Sequence, residues 1–314
     1  MIHTPICEIC NIKYPIFQGG MAHISDAELA AAVSEAGGLG IISAASGNID
    51  YISEQIDKAR SLTDKPFGLN IMLMGSNVEE IAKLAAEKKV PVVTTGAGNP
   101  DKYIGMWKEA GIKVIPVVPS AAIAKLMQRT GADAVIAEGG ESGGHIGELT
   151  TMALVPQVCD AVDIPVIAAG GIADGRGIAS SFMLGACGVQ VGTRFLTAYE
   201  CNISRRYKDK VLKAKDTSTI VTGKRLGHPV RSIKSPFSRG LAAAEYTSIS
   251  DEELDKMAVG SLRAAVVDGD EKKGCFLAGQ CAGMVNKEQS AGEIIEEMFS
   301  EAEKLLIGAK QWVK

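Results

Sequence analysis

Eight short apolar, β-branched runs recur at a nearly constant interval through the first two thirds of the 314-residue chain. They begin at Pro15, Leu39, Pro66, Pro91, Lys113, Ala134, Pro165 and Gly188, so successive starts lie 21 to 31 residues apart. Each run is continuously apolar rather than alternating, as strands of a parallel sheet covered on both faces must be. Between them, segments such as 26–36, 78–88 and 120–129 carry a helical period. Gly37, Gly111, Gly131 and Gly185 stand two or three residues before the next run, where a left-handed residue ends a helix. Strand, helix, glycine, strand, eight times over, predicts an α/β fold of the (β/α)8 TIM barrel type, with its strands and helices in residues 1–196. A doubly wound open sheet is the alternative, and eight even units favour closure.

The eighth run is expected to end near Phe195, after which the period disappears. Lys224–Pro229 and Ser235–Arg239 read as turns and loops between short helices. Residues 197–285 are therefore expected to form a small substrate-binding lid inserted after strand 8. Residues 286–314 then supply the closing helix, starting at Lys287, with Ile294, Ile295, Met298, Leu305 and Leu306 on its apolar face. Charge follows the same division. Residues 197–239 hold eleven basic and three acidic side chains, a net of +8 in a chain whose total is −4. The acidic total argues against nucleic acid as a partner. No apolar run approaches the roughly 18 residues of a membrane span. The first residues show no basic stretch followed by an apolar one, so a cytoplasmic location is expected. Seven dispersed cysteines read as reduced thiols. Cys7 and Cys10 lack the second ligand pair of a zinc site, and no metal is expected.

Glycine makes up 35 residues, and many of them stand where strands end. Barrel active sites are built there, and glycine lets backbone amides approach a ligand. The loops after strands 7 and 8 form a recurrent phosphate site, which places a phosphate at Gly171 and Gly192–Thr193, helped by a helix N-terminus. No G-x-G-x-x-G follows a strand and no P-loop motif is present, so a mononucleotide cofactor or a sugar phosphate is implied. Lys65 and Lys113 lie at strand starts, and no strand-end lysine or cysteine offers covalent catalysis. This weighs against a phosphosugar aldolase or isomerase.

PIFQGGMA, KPFGLNIML, VVTTGAGNP, VIPVVPS, ESGGHIG, PVIAAGGIADG, QVGTRF and AGQCAGMV together resemble landmarks of a flavin-dependent barrel family. That family contains the nitronate monooxygenases and the FMN-dependent enoyl-[acyl-carrier-protein] reductases of the second type. The resemblance runs from about Ile12 to Trp312. VIAEGGESGGHIGELTTM and the H-x-V-R stretch His228–Arg231 are closer to the reductase branch. The resemblance implies FMN as cofactor and NADH or NADPH as reductant. It implies an enoyl-acyl-carrier-protein substrate, in the last step of fatty-acid elongation, and also stimulation by a monovalent cation and a homodimer. It places Gly20, Met21 and Ala22 under the flavin and Asn70 and Glu138 at its ring or ribityl edge. Ser142 and Gly143 close over it, and Gly171, Gln190, Gly192 and Thr193 hold the phosphate. His145, embedded in glycines after strand 6, is the candidate to neutralise the thioester oxygen or protonate Cα. The alternative activity is oxidation of alkyl nitronates with FMN and oxygen, for which the same histidine would serve.

Overall fold

The computed structural model describes residues 2–312. The last two residues of the expected closing segment, 313 and 314, lie outside the described residues.

A short helix, α1 (Pro5–Cys10), comes first and is one that no periodicity announces. The repeating units follow: β1 (Ile16–Gln18), α2 (Ala27–Glu35), β2 (Gly40–Ser43), α3 (Ile49–Leu62), β3 (Phe67–Met72), α4 (Val78–Glu87), β4 (Val92–Gly96), α5 (Asp101–Glu109), β5 (Lys113–Val118), α6 (Ala121–Thr130) and β6 (Val135–Glu138). A two-residue strand, β7 (Gly144–His145), precedes α7 (Thr151–Cys159), β8 (Val166–Ala169), α8 (Gly175–Met183) and β9 (Gly188–Val191). Eight of these strands form one parallel sheet in the order β1-β9-β8-β6-β5-β4-β3-β2. Its two edges meet at a bridge between Phe17 and Leu39. There Leu39 N donates to Ile16 O at 2.8 Å and Gln18 N to Leu39 O at 2.9 Å. The sheet is thus a closed (β/α)8 TIM barrel, as the spacing predicts.

Local chemistry starts and stops the helices where the pattern places them. Asp26, Asn48, Ser120 and Asp174 cap α2, α3, α6 and α8 through their side chains. Gly37, Gly111, Gly131 and Gly185 all have positive φ, between 79° and 99°. Gly40 is required by packing, because a Cβ there would lie 1.8 Å from Ala30 O of α2. The eighth barrel strand stops at Val191, earlier than expected, because residues Thr193–Thr197 wind into a 3-10 turn.

The barrel interior holds Phe17, Leu39, Ile41, Val92, Ile115, Ile136 and Ile167, each essentially inaccessible. Full burial of such side chains stabilises by about 1.5–3 kcal/mol each. The N-terminal end of this core is plugged by α1, whose Ile6 and Cys10 join it. Cys7 and Cys10 are buried free thiols, and burial pushes Cys10 up to about 12. They pack rather than react.

After the barrel strands come α9 (Arg205–Leu212), β10 (Thr219–Thr222), β11 (Val230–Ile233), α10 (Pro236–Ala244), α11 (Asp251–Ala258) and α12 (Ser261–Arg263). Two expectations for this region change. Two strands are present where only short helices are anticipated, and Ser235–Arg239 is no loop. Ser235 forms a capping box with Ser238, and Pro236 opens α10 in the position where its missing N–H costs nothing. Moreover β11 pairs antiparallel with both β10 and β7, so residues 144–145 share a sheet with the lid segment. The closing helix α13 (Ala291–Gly308) begins four residues later than expected. Ser290 caps it in a box with Glu293, and the preceding residues run extended, with Gln289 bridged to Ala198. Its residues Ile294, Ile295, Met298, Phe299 and Ala302 are buried, and Leu305 and Leu306 are half-buried. No helix among the described residues is long and apolar enough to cross a membrane.

Candidate active site

Alternation along the strands decides which side chains face the barrel axis. Phe67, Leu69 and Ile71 of β3 pack toward the helices, which turns Asn70 inward. The same rule turns Thr94 inward beside Val92, Glu138 inward beyond Ile136, and Gln190 inward between Val189 and Val191. Strand register sets Asn70 opposite Thr94, Glu138 opposite Ala169, and Ala169 opposite Gln190. A layer of polar side chains therefore tops an otherwise apolar barrel at its C-terminal end.

Asn70 is held in one orientation. Its Oδ1 accepts from Thr94 Oγ1 at 2.9 Å, and its Nδ2 donates to Gly20 O at 3.4 Å. A Cβ on Gly20 would come within 2.3 Å of Asn70 Cβ, so only glycine lets the β1 loop approach. The loop is pinned from behind by Ser25, whose Oγ accepts from Met21 N at 2.9 Å and from Gln18 Nε2 at 2.7 Å. Met21 in turn meets Gly192, and Gly19 meets Gln190, each at 3.6 Å from the position a glycine Cβ would occupy. Ala22 is half-buried beside them.

The loop after β6 folds back over the mouth. Glu141 turns away from it, accepting from Thr151 N at 2.9 and 3.0 Å at the start of α7. Gly143 abuts the backbone of Ala278 and Gly279, where a Cβ would sit 2.6–2.7 Å from their atoms. Gln280 N donates to Glu141 O at 2.8 Å, and Gly279 N donates to Thr193 Oγ1 at 2.9 Å. The AGQCAGMV stretch thus locks the loop after β6 to the 3-10 turn after β9. Ser142 Oγ is buried, with the Glu138 carboxyl as its polar neighbour. Burial raises the Glu138 carboxyl to about 7, and the adjacent Ser142 hydroxyl pulls it the other way.

Gly170 and Gly171 both adopt positive φ (98° and 78°). The helix N-terminus expected to assist a phosphate here is not that of α8. Asp174 takes the Arg176 and Gly177 amides, and Glu301 takes Gly175 N at 2.7 Å. The 3-10 turn headed by Gly192 is the remaining one. Arg194 does not face it either. Its guanidinium is buried against Thr197, Gln289 and Lys287 O, and burial lowers its pKa. A phosphate at this place would be held by neutral donors, the amides near Gly171, Gly192 and Thr193 and the Thr193 hydroxyl proton. The Gly20 cleft, where a Cβ would collide with Asn70, and these donors fit a flat, phosphate-bearing group such as FMN.

His145 is not at the β6 terminus but on β7, exposed, seven residues further on. β11 sets Val230 opposite His145 and Arg231 opposite Gly144. The His145 and His228 rings lie 6.5 Å apart between centroids. Partial desolvation, then His228, lowers the His145 pKa, so the ring is neutral near pH 7. Arg231 ties the lid down, donating to Gly140 O through Nε at 3.2 Å and Nη2 at 2.9 Å. The H-x-V-R stretch is therefore the strand that carries the His145 segment. Sequence reasoning left Thr94, Ser25, Glu141, Thr151 and Gly279 unassigned. The quoted landmarks contain four of them, Thr94 in VVTTGAGNP, Glu141 and Thr151 in VIAEGGESGGHIGELTTM and Gly279 in AGQCAGMV, and nothing in the pattern marked Ser25.

Known proteins were compared with this architecture. The nitronate monooxygenase family model matches residues 3–88 and 73–301. FabK from Thermotoga maritima superposes with a TM-score of 0.98 and 48% identity, covering 100% of both chains. A probable nitronate monooxygenase of Staphylococcus saprophyticus is 34% identical, covering 97% of this chain and 99% of its own. An octahydroindene-carboxyl-CoA dehydrogenase of Mycobacterium tuberculosis is 33% identical over 96% of both. A full-length match to a family model, joined to a glycine-lined barrel mouth suited to a flavin, leads to one assignment: the chain belongs to the nitronate monooxygenase family of FMN-dependent oxidoreductases.

Proposed function

We propose that the protein reduces the 2,3-double bond of trans-2-enoyl thioesters carried on acyl carrier protein, using NADH or NADPH and bound FMN. The observation that carries this reading is the whole-chain likeness to FabK, an enoyl-[acyl-carrier-protein] reductase of the second type, at 48% identity. Bound FMN would supply the two-electron relay between nicotinamide and substrate. Gly20, Met21, Ala22 and Asn70 would support its ring, and Gly171, Gln190, Gly192 and Thr193 its phosphate. Saturation of the double bond delivers hydride to Cβ and a proton to Cα, and negative charge develops on the thioester oxygen between the two. His145, neutral near pH 7, can direct an imidazole N–H at that oxygen. A donor aimed at a developing oxyanion is worth about 10²–10³ in rate.

Nitronate oxidation is the second reading, favoured by the family model and by the names of the staphylococcal relatives. Anaerobic half-reactions separate the two. NADH should bleach the flavin under nitrogen, and crotonyl thioester should then restore its colour. Recovery only with oxygen and an alkyl nitronate would replace the first reading by the second. With no second nucleotide fold on the chain, nicotinamide and enoyl substrate share one open face, and parallel double-reciprocal lines are expected.

A further inference from the structure

Glu138 is a half-buried carboxyl group at the mouth of the barrel, without a counter-charge. It ends β6 and faces inward, opposite Ala169, which in turn lies opposite Gln190, and both of these are neutral. The charged groups on the surrounding segments are committed elsewhere. Glu141 caps α7 through Thr151, and Arg231 bonds Gly140 O and Thr219 Oγ1. Arg194 is bound to Thr197 and Gln289, and His145 stands exposed on β7 beside His228. Among the described residues no cation pairs with Glu138, and its polar neighbour is the Ser142 hydroxyl, which favours the ionised form but less than burial disfavours it. A carboxylate in such a place is strongly disfavoured, whereas a carboxylic acid is tolerated and gains a donor.

We propose that Glu138 stands in the site as the neutral acid and offers its O–H as a hydrogen-bond donor to an acceptor atom of the ligand in the barrel mouth. The site thereby selects ligands with an acceptor at that edge and loosens its hold when the acid ionises. The inference rests on the flavin reading only for the ligand's name, since a flavin edge carries carbonyl and imine acceptors. The burial that raises Glu138 to about 7 gives the direction. Binding is flat below that pH and weakens above it, by about tenfold between pH 6 and pH 8.

The test is dilution of the FMN-loaded protein at pH 6, 7 and 8, with the fluorescence of released flavin as readout. The wild type should release FMN about tenfold more readily at pH 8 than at pH 6. Glu138→Gln keeps an N–H donor at every pH and should show no such step. Protonation of the FMN phosphate is common to both proteins, so their difference isolates Glu138. Equal pH dependence in the two proteins, or none in the wild type, overturns the proposal while leaving the flavin reading intact. A protein that holds no flavin at any pH overturns the flavin reading instead. The proposal is then decided by infrared spectroscopy of the flavin-free protein. A protonated-carboxyl C=O band at pH 6 that disappears in Glu138→Gln supports it, and its absence from the wild type refutes it.

Discussion

Gly192 shows how much one missing Cβ decides at the barrel mouth. Its φ of −110° suits any residue, and a Cβ would make only ordinary contact with Met21. Gly192→Asp should therefore fold, yet it sets a carboxylate where the proposed FMN phosphate would bind. Loss of the yellow colour with an unchanged melting temperature is expected; a fully yellow variant would move the phosphate elsewhere. Thr193 is a poorer probe, because its hydroxyl also anchors Gly279. His145 makes a second prediction. His145→Ala should retain FMN and slow the enoyl half-reaction by about 10²–10³, with a smaller effect on the nicotinamide half-reaction. Because its pKa is lowered below the usual histidine value of 6.5, the neutral form persists down to that pH. The midpoint of the decline in the wild-type enoyl rate on acidification should therefore lie below pH 6.5. A midpoint at or above pH 6.5 would mean that the working form is not set by this ring. Neither residue's environment could be read from its neighbours in the chain: His145 has its pKa lowered by desolvation first and then by His228, which β11 brings beside it from 83 residues away.

Helix α8 and helix α13 close the ring of elements, and Gly175 is where they touch. A Cβ there would lie 2.5 Å from Ala302 N and 2.7 Å from Met298 O, which are backbone atoms that cannot step aside. Glu301 of α13 also caps the Gly175 amide. Gly175→Ala, favourable in an isolated helix, should instead destabilise by about 1–3 kcal/mol through overpacking. Chemical denaturation would show it, and an unchanged or raised midpoint would refute the close approach. At this scale the pattern predicted the eight barrel strands to within one residue at their starts. It missed α1, β7, β10 and β11. Those elements are only two to six residues long, too short for a period to show; α1 and β7 also take their partners from far along the chain, whereas β10 and β11 pair with each other across a short turn.

Across the whole molecule, the basic segment 197–239 looks different once folded. Much of its charge is used internally. Arg205 pairs with Glu288 and Asp209, Arg225 with Asp251, and Lys210 with Glu271, while Lys208 is buried on Ala198 O. Lys213, Lys215, Lys224 and Arg239 remain exposed with no carboxylate partner among the described residues. If the acidic carrier protein docks by complementary charge, these four are the surface it meets. Lys213→Glu with Lys215→Glu should raise KM for an acyl-carrier-protein substrate about tenfold, roughly 1.4 kcal/mol. The effect should fade at high salt, and a short neutral thioester should be spared. Equal losses on both substrates would mark the pair as structural, and no loss on either would place docking elsewhere. Reversing Arg205 would be uninformative, because it also breaks two ion pairs of the fold.

The amino-acid order alone determined the barrel, the end of it that carries the site and the glycines that open that end. These depend on apolar period and on backbone freedom, both local properties written residue by residue. Tertiary structure decided which groups are charged and which are engaged. Glu138 reads in the chain as an ordinary acid, and its pKa is raised because the fold desolvates it at the end of β6, opposite Ala169, with no cation beside it. Arg194 sits in a motif suited to a phosphate, and it faces Gln289 because the segment before α13 runs extended past it. Desolvation and pairing act through space, between residues that only the closed barrel and its lid bring together.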